Sequence, residues 1–226
     1  LKEQLPAEVF TTEYANPVSN NSTERRKNLR EASRLLAEAG WNVTQDGNKS
    51  VLKNAAGERL NLEFLLHSPT FERITLPYKQ QLELLGIGVS IKTVDGAQYE
   101  RQTQTFDYDI IVGNWGQSLS PGNEQRDFWG SAAADTNGSR NYIGIKNPVI
   151  DKLIEAIIFA KDREGLTTAC KALDRALIWN HYLVPHWYVA YERTARWDRF
   201  GKPETLPDYS IGFPTVWWWN KEKAAK

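Results

Sequence analysis

The chain has 226 residues, enough for one large domain or a domain with an appendage. Lys+Arg and Asp+Glu both total 28, so the net charge is zero, which argues against a polyanionic partner such as nucleic acid. No apolar run is long enough to cross a bilayer, and no signal peptide is evident; with Leu1 first and no Met anywhere, the sequence reads as a piece of a longer, processed protein.

Residues 1–20 carry Pro6 and Pro17 and read as an extended linker or hinge entering a domain. Ser22 or Thr23 then caps a helix whose apolar residues Leu29, Ala32, Leu36 and Ala39 recur at helical spacing, with Gly40 as its stop. Its other face, with Arg25, Arg26, Lys27, Arg30 and Arg34, reads as a solvated surface. Asp46-Gly47-Asn48 marks a hairpin within residues 41–53. Residues 60–66 alternate with period two as a strand. Residues 71–85 form a helix that holds Pro77 inside and stops at Gly86. Residues 87–94 are the next strand, and Asp95 caps a short helix through Thr103. Tyr108 to Gly113 is an apolar run that reads as a buried strand. This βαβαβ order predicts an α/β domain with a mostly parallel central sheet and flanking helices.

About thirty residues with few aliphatic side chains follow, from Gln117 through Arg140-Asn141-Tyr142. Loops this long are usually functional or disordered, and Trp115, Phe128, Trp129 and Tyr142 are too aromatic for disorder. A polar-aromatic loop at the carboxyl end of a strand reads as a binding surface. Trp115 is either a ligand-facing platform or a strand-end core residue. Arg126 and Asp127 either grip a ligand or tie the loop together. Asn141 and Tyr142 follow a Thr136-Asn137-Gly138-Ser139 tip and can reach a cleft.

Asn147-Pro148 opens a helix with Ile150, Leu153, Ile154 and Ile157 inward, because Pro suits the first helical position. Asp162 caps another, with Leu166, Ala169, Cys170, Leu173, Ala176 and Leu177 inward. Residues 183–189 read as a returning strand, with Pro185 at its start or on an edge. From Glu192 the chain becomes aromatic, basic and irregular, through Tyr209 to the run Trp217-Trp218-Trp219. The expected organisation is a linker or hinge over 1–20, an α/β domain carrying the binding surface over 21–191, and an aromatic-rich segment over 192–226.

Catalytic chemistry is scarce. His67, His181 and His186 have no metal-ligand spacing, and no Gly-rich loop matches a phosphate or cofactor fingerprint, so neither metal nor cofactor is expected. Cys170 lies on an apolar helix stripe and reads as an inert core thiol. Asp107 and Asp109 are the one conceivable acid–base pair, and a solvated or salt-bridged role suits them better.

The helix ending Ala32-Ser33-Arg34-Leu35-Leu36-Ala37-Glu38-Ala39-Gly40-Trp41 resembles the start of the second lobe in family 5 extracellular solute-binding proteins, the peptide receptors of ABC importers. So do Gln81-Leu82-Glu83-Leu84-Leu85-Gly86-Ile87, Phe106-Asp107-Tyr108-Asp109 and Asn147-Pro148-Val149-Ile150-Asp151. The stretch from Ser118-Leu119-Ser120-Pro121-Gly122-Asn123 through Ser131 is similar to the YejA-like branch, associated with oligopeptides and microcin C.

The resemblance implies the C-terminal lobe of a periplasmic-binding-protein-like fold (type II, cluster C) that works in the periplasm without enzymatic activity. Its implied partners are a peptide ligand, the N-terminal lobe of the same protein, on which residues 192–226 would pack, and an ABC permease in the inner membrane. The implied ligand-binding residues are Trp115, Gln117, Ser118, Ser120, Arg126, Asp127, Trp129, Asn141 and Tyr142. In peptide-binding relatives an acid after the strand-end Trp holds the peptide's amino terminus. The matching position here is Ser118, which leaves Glu124 or Asp127 as neighbouring carboxylates. Two other readings remain: a ligand-sensing domain of a regulator, and a hydrolase acting on peptides or glycans through Asp107, Asp109 or Glu124.

Overall fold

Residues 2–189, 191, 193–207 and 212–225 are described by a computed structural model. Glu192 and Tyr209, named above, lie outside the described residues. Residues 8–14 are tied to the later part of the chain. Helix α1 (Glu8–Thr11) buries Val9, and the Arg175 guanidinium donates to the carbonyls of Glu8, Val9 and Thr12. Tyr14 meets the Trp179 ring edge-on, with centroids 5.3 Å apart.

Helix α2 (Ser22–Glu38) is capped by Asn21, one residue before the expected Ser22 or Thr23. The Asn21 side chain accepts from the amides of Thr23 and Glu24, and Glu24 reaches back to the Asn20 amide at 2.8 Å. That reciprocal pair settles which of three capping-competent residues starts the helix. The helix buries no residue fully; Leu29, Ala32 and Leu36 are only half-buried. Strands β1 (Asn42–Asp46) and β2 (Lys49–Lys53) form the hairpin, with Asp46 opposite Lys49 and Gly47 at φ +60°. The left-handed turn needs a residue without a Cβ penalty, which Gly supplies.

The sheet is parallel and three-stranded. β3 (Asn61–Leu66) is central, β4 (Gly88–Thr93) lies on one side and β5 (Ile110–Ile111) on the other. Helix α3 (Glu72–Leu84), with Pro77 inside, joins β3 to β4, and α4 (Gly96–Gln104), capped by Asp95, joins β4 to β5. The expected buried strand over 108–113 is therefore a two-residue, half-buried edge, because only Phe64 and Leu65 of β3 pair with it. Gly86 stops α3 at φ +87°, where a Cβ would sit 3.1 Å from the Leu52 amide, so the close approach to β2 also requires glycine. Leu52, Phe64, Ile87 and Val89 form the core under the sheet.

The polar stretch after β5 folds more than its composition suggests. Helix α5 (Glu124–Trp129) and a 3-10 turn (Ser131–Ala133) sit inside it. Then α6 (Pro148–Ile158), capped by Asn147, and α7 (Arg163–Trp179), capped by Asp162, pack together. Phe128, Trp129, Ile145, Ile150, Ile154, Ile157, Ala169 and Leu173 form this second core.

The chain divides into two units, Leu1–Leu183 and Val184–Lys226. Residues 183–189 form no strand. Among the described residues they pair with no strand, and Trp187 and Tyr188 are 62% and 87% exposed; β propensity does not make a strand without a partner. The second unit contains β6 (Phe200–Gly201) paired antiparallel with β7 (Trp218–Trp219), then α8 (Lys221–Ala224). Phe200 packs edge-on against Phe213 and Trp219, and the Arg196 guanidinium lies 4.5 Å over the Trp217 ring.

Ile154 is 1% exposed at the centre of the second core. Ile154→Ala is expected to cost about 2–5 kcal/mol of stability, the range for emptying a buried aliphatic site. Urea unfolding followed by tryptophan fluorescence checks it.

Candidate functional site

The carboxyl ends of the parallel strands open on one side of the sheet. A cavity of about 230 Å3 there is lined by Leu65, Leu66, His67, Phe71, Tyr99, Val112 and Asn114. His67 follows β3 directly, and its ring lies 4.7 Å from that of Tyr99 on α4. Tyr108 donates to the Tyr142 carbonyl at 2.9 Å. Burial, and then the neighbouring Tyr142 and Tyr99, push the Tyr108 phenol up to about 12. Burial raises Tyr99 in the same way. These phenols stay neutral at physiological pH and act through hydrogen bonds rather than charge.

Trp115 stands just beyond β5 and is half-buried. Its indole N–H donates to the Arg140 carbonyl at 3.0 Å, and its ring lies 4.9 Å from Trp129 and 5.7 Å from Tyr142. Arg140 in turn donates to the Asn114 carbonyl at 2.7 Å and covers the Phe128 ring at 4.6 Å. The two limbs of the long connection are thereby zipped together. Asn141 is fully buried. Its amide donates to the carbonyls of Gly130 and Ile145, and its oxygen accepts from the Ile145 amide. All of its bonding is spent inside the protein, so it holds the loop and offers nothing to a cleft.

Arg126 and Asp127 also have internal work. Arg126 pairs with Glu155 on α6 at 2.6 Å and donates to Asn123, while Asp127 accepts the Arg140 amide at 3.4 Å. Glu124 accepts from the Gly122 amide and from Gln125. Burial works to raise its carboxyl, yet these hydrogen bonds hold it below the usual range. The Asp109 carboxylate accepts from the Glu63 amide at 2.9 Å, and Asp107 from the Gln102 side chain at 3.1 Å. Both aspartates thus serve as ties between β3, α4 and the approach to β5.

A larger groove, about 410 Å3, lies between residues 117–121 and α7. Gln117, Ser118 and Trp129 line it together with Gln125, Leu166, Cys170 and Asp174. Gln125 is the hub of its polar edge: it donates to Gln117 at 2.8 Å and accepts the Trp129 indole N–H at 3.1 Å. Ser118 and Ser120 are exposed, and the Ser118 hydroxyl accepts the Ser120 amide at 3.2 Å. Burial pushes the Cys170 thiol up, so it stays protonated and unreactive.

Of the nine residues singled out from sequence, Gln117, Ser118 and Trp129 meet in this groove, and Trp115 and Tyr142 pack against each other near the strand ends. His67, Tyr99 and Asn114 were not among the nine. The signal for them was positional, since His67 and Asn114 lie just past the ends of their strands.

The fold is that of the periplasmic oligopeptide-binding proteins. The oligopeptide-binding protein AppA of Bacillus subtilis, solved with a nonapeptide, superposes with a TM-score of 0.60 at 22% identity, over 79% of this chain and 34% of that one. An oligopeptide-binding protein of Thermotoga maritima, solved with mannohexaose, gives 0.61 at 18% identity, over 83% and 34%.

Residues 3–137 match the bacterial extracellular solute-binding proteins, family 5, and the chain belongs to that family. It is 48% identical to a probable peptide-binding protein, YejA, of Agrobacterium fabrum, over 98% of this chain and 36% of that protein. It is 39% identical to YejA of Escherichia coli, over 100% and 37%. It is 37% identical to the peptidoglycan-binding protein YepA of A. fabrum, over 95% and 34%. The chain spans about a third of the length of these relatives.

Asn141→Ala leaves the Ile145 amide and two buried carbonyls without their partner. It is expected to cost about 2–4 kcal/mol, several times a typical exposed substitution. Thermal melting by circular dichroism gives the comparison with Ser120→Ala, which should be nearly neutral.

Proposed function

We propose that this chain is the C-terminal lobe of the substrate-binding component of an ABC importer. The receptor would work in the periplasm and take up oligopeptides or peptide-like compounds such as microcin C. The observation that carries this reading is the groove between residues 117–121 and α7. Amides (Gln117, Gln125), a hydroxyl (Ser118) and an aromatic wall (Trp129) border an apolar floor. Amides and hydroxyls suit a peptide backbone, whereas apolar and aromatic surfaces accept varied side chains. The names and bound ligands of the relatives point the same way: a probable peptide-binding protein at 48% identity, and a nonapeptide in a structural neighbour.

In this reading a second lobe, from the rest of the protein, closes over the ligand, and an inner-membrane permease receives it. Residues 192–226 return to that lobe and pack on it. Trp197, Trp218 and Trp219 are 77%, 52% and 55% exposed in this chain, which suits a surface with a partner. The lobe binds and performs no chemistry.

Mass spectrometry of material co-purifying with the full-length protein should find peptides or peptide conjugates. Trp115→Ala in that protein should weaken peptide binding by about 1–3 kcal/mol, the range for an aromatic contact. Because Trp115 also supports the Arg140 limb, calorimetry is read beside a melting curve. Unchanged affinity in a folded variant would remove Trp115 from the site.

A further inference from the structure

Ser118 carries no charge, and the carboxylates that follow it accept hydrogen bonds from their own loop: Glu124 from Gly122 and Gln125, Asp127 from the Arg140 amide. One acid lines the same groove as Ser118 from the opposite side, Asp174 on α7. We propose that Asp174 holds an ammonium group of the ligand, so that the amine subsite lies on the helix wall of the groove instead of on the strand-end loop. This rests on the peptide-binding reading above.

Three observations support it. Residues 163, 166, 167, 170, 171, 174 and 177 recur every three or four positions and all line the groove, so one face of α7 forms its wall. Asp174 is therefore aimed at the space that Gln117 and Ser118 border. Among the described residues Asp174 has no hydrogen bond and no ion pair, and burial alone pushes its carboxyl up. The Asp174 carboxylate is nonetheless exposed on α7, so a charged donor in the groove can reach it.

The groove is also polarised. Arg163, whose guanidinium donates to the Leu119 carbonyl, stands at the start of α7, and Lys171 lies between it and Asp174. Arg163 and Asp174 are eleven positions apart, about 16 Å along a helix. An extended peptide covers roughly 3.3–3.6 Å per residue. An extended zwitterion of four or five residues thus spans from Arg163 to the acid, its amine at Asp174 and its carboxylate toward Arg163.

The test uses the full-length receptor and two tetrapeptide libraries made without lysine, one with free amines and one N-acetylated. A third library is N-acetylated and contains lysine, which separates a side-chain ammonium from the α-amine. Captured peptides are counted by mass spectrometry. The wild type should prefer an ammonium-bearing library over the acetylated, lysine-free one by about 10–100-fold, the worth of a charged hydrogen bond. Asp174→Asn should reduce that preference to less than about threefold while retaining capture of the acetylated peptides.

Asn is isosteric, and the carboxyl holds no internal bond, so the variant is expected to fold; an unchanged melting temperature confirms this, and Asp174→Ser serves as a second replacement. An unaltered preference in both folded variants overturns the assignment of Asp174. Peptide capture by the wild type without any preference for an ammonium also overturns it and leaves the peptide reading standing. No capture of any library by the wild type would instead overturn both.

Discussion

A polar connection of some thirty-five residues, from Val112 to Asn147, crosses the top of an apolar core, and every backbone group it buries must find a partner. Asn141 meets that constraint at its deepest point by bonding Gly130 and Ile145 at once. Ser131 meets it at the next, donating its hydroxyl to Asp151 at 2.6 Å and accepting the Asn147 amide at 3.0 Å. These ties fix the far limb of the connection on α6. The Trp115 indole and Arg140 then fix the near limb to the far one. The connection is held in place by these satisfied groups rather than by regular secondary structure.

Two hydrophobic cores divide the labour. The core under the sheet is built by β2, β3, β4 and the helices beside them, and positions the strand ends. The core of α5, α6 and α7 positions the groove. Trp129 belongs to both roles: its ring packs in the helical core while its indole N–H orients Gln125 at the groove's edge. Substitution at such a residue changes packing and polar presentation together, so binding data on it need a stability measurement beside them.

The strongly periodic and well-capped elements were legible in the sequence. Asn147-Pro148 and Asp162 start helices where they should, and Asp46-Gly47-Asn48 turns the hairpin. The misses have physical causes. Asn21, Ser22 and Thr23 can each cap a helix, and only the reach of Glu24 back to Asn20 chooses among them. Helix α5 is six residues long, too short to show a period, and is held by contacts with α6 that sequence does not display. Residues 183–189 have strand composition without a strand neighbour. At the site, the polar-aromatic stretch announced itself by composition. The meeting of His67 with Tyr99 did not, because it depends on the parallel register that sets β3 beside β4 and so brings α4 over the strand end. Asn141 looked like a ligand group by its type, and only its burial shows where its bonds go.

The charge pattern fits this division. The polar stretch has few charged residues, and those it has are bonded within the protein: Arg126 to Glu155, Lys146 to Asp135, Arg140 to a carbonyl of its own loop. What borders the strand ends is neutral, with phenols whose ionisation burial has pushed further from physiological pH. A wall of neutral donors and acceptors suits a ligand whose backbone amides are themselves neutral, since each such hydrogen bond nets only about 0.5–1.5 kcal/mol and imposes little sequence preference. In the proposed reading, selectivity then comes from the few charges left uncommitted and from the shape of the apolar floor. Those features lie on α7, a helix fixed by its own core, rather than on the connection.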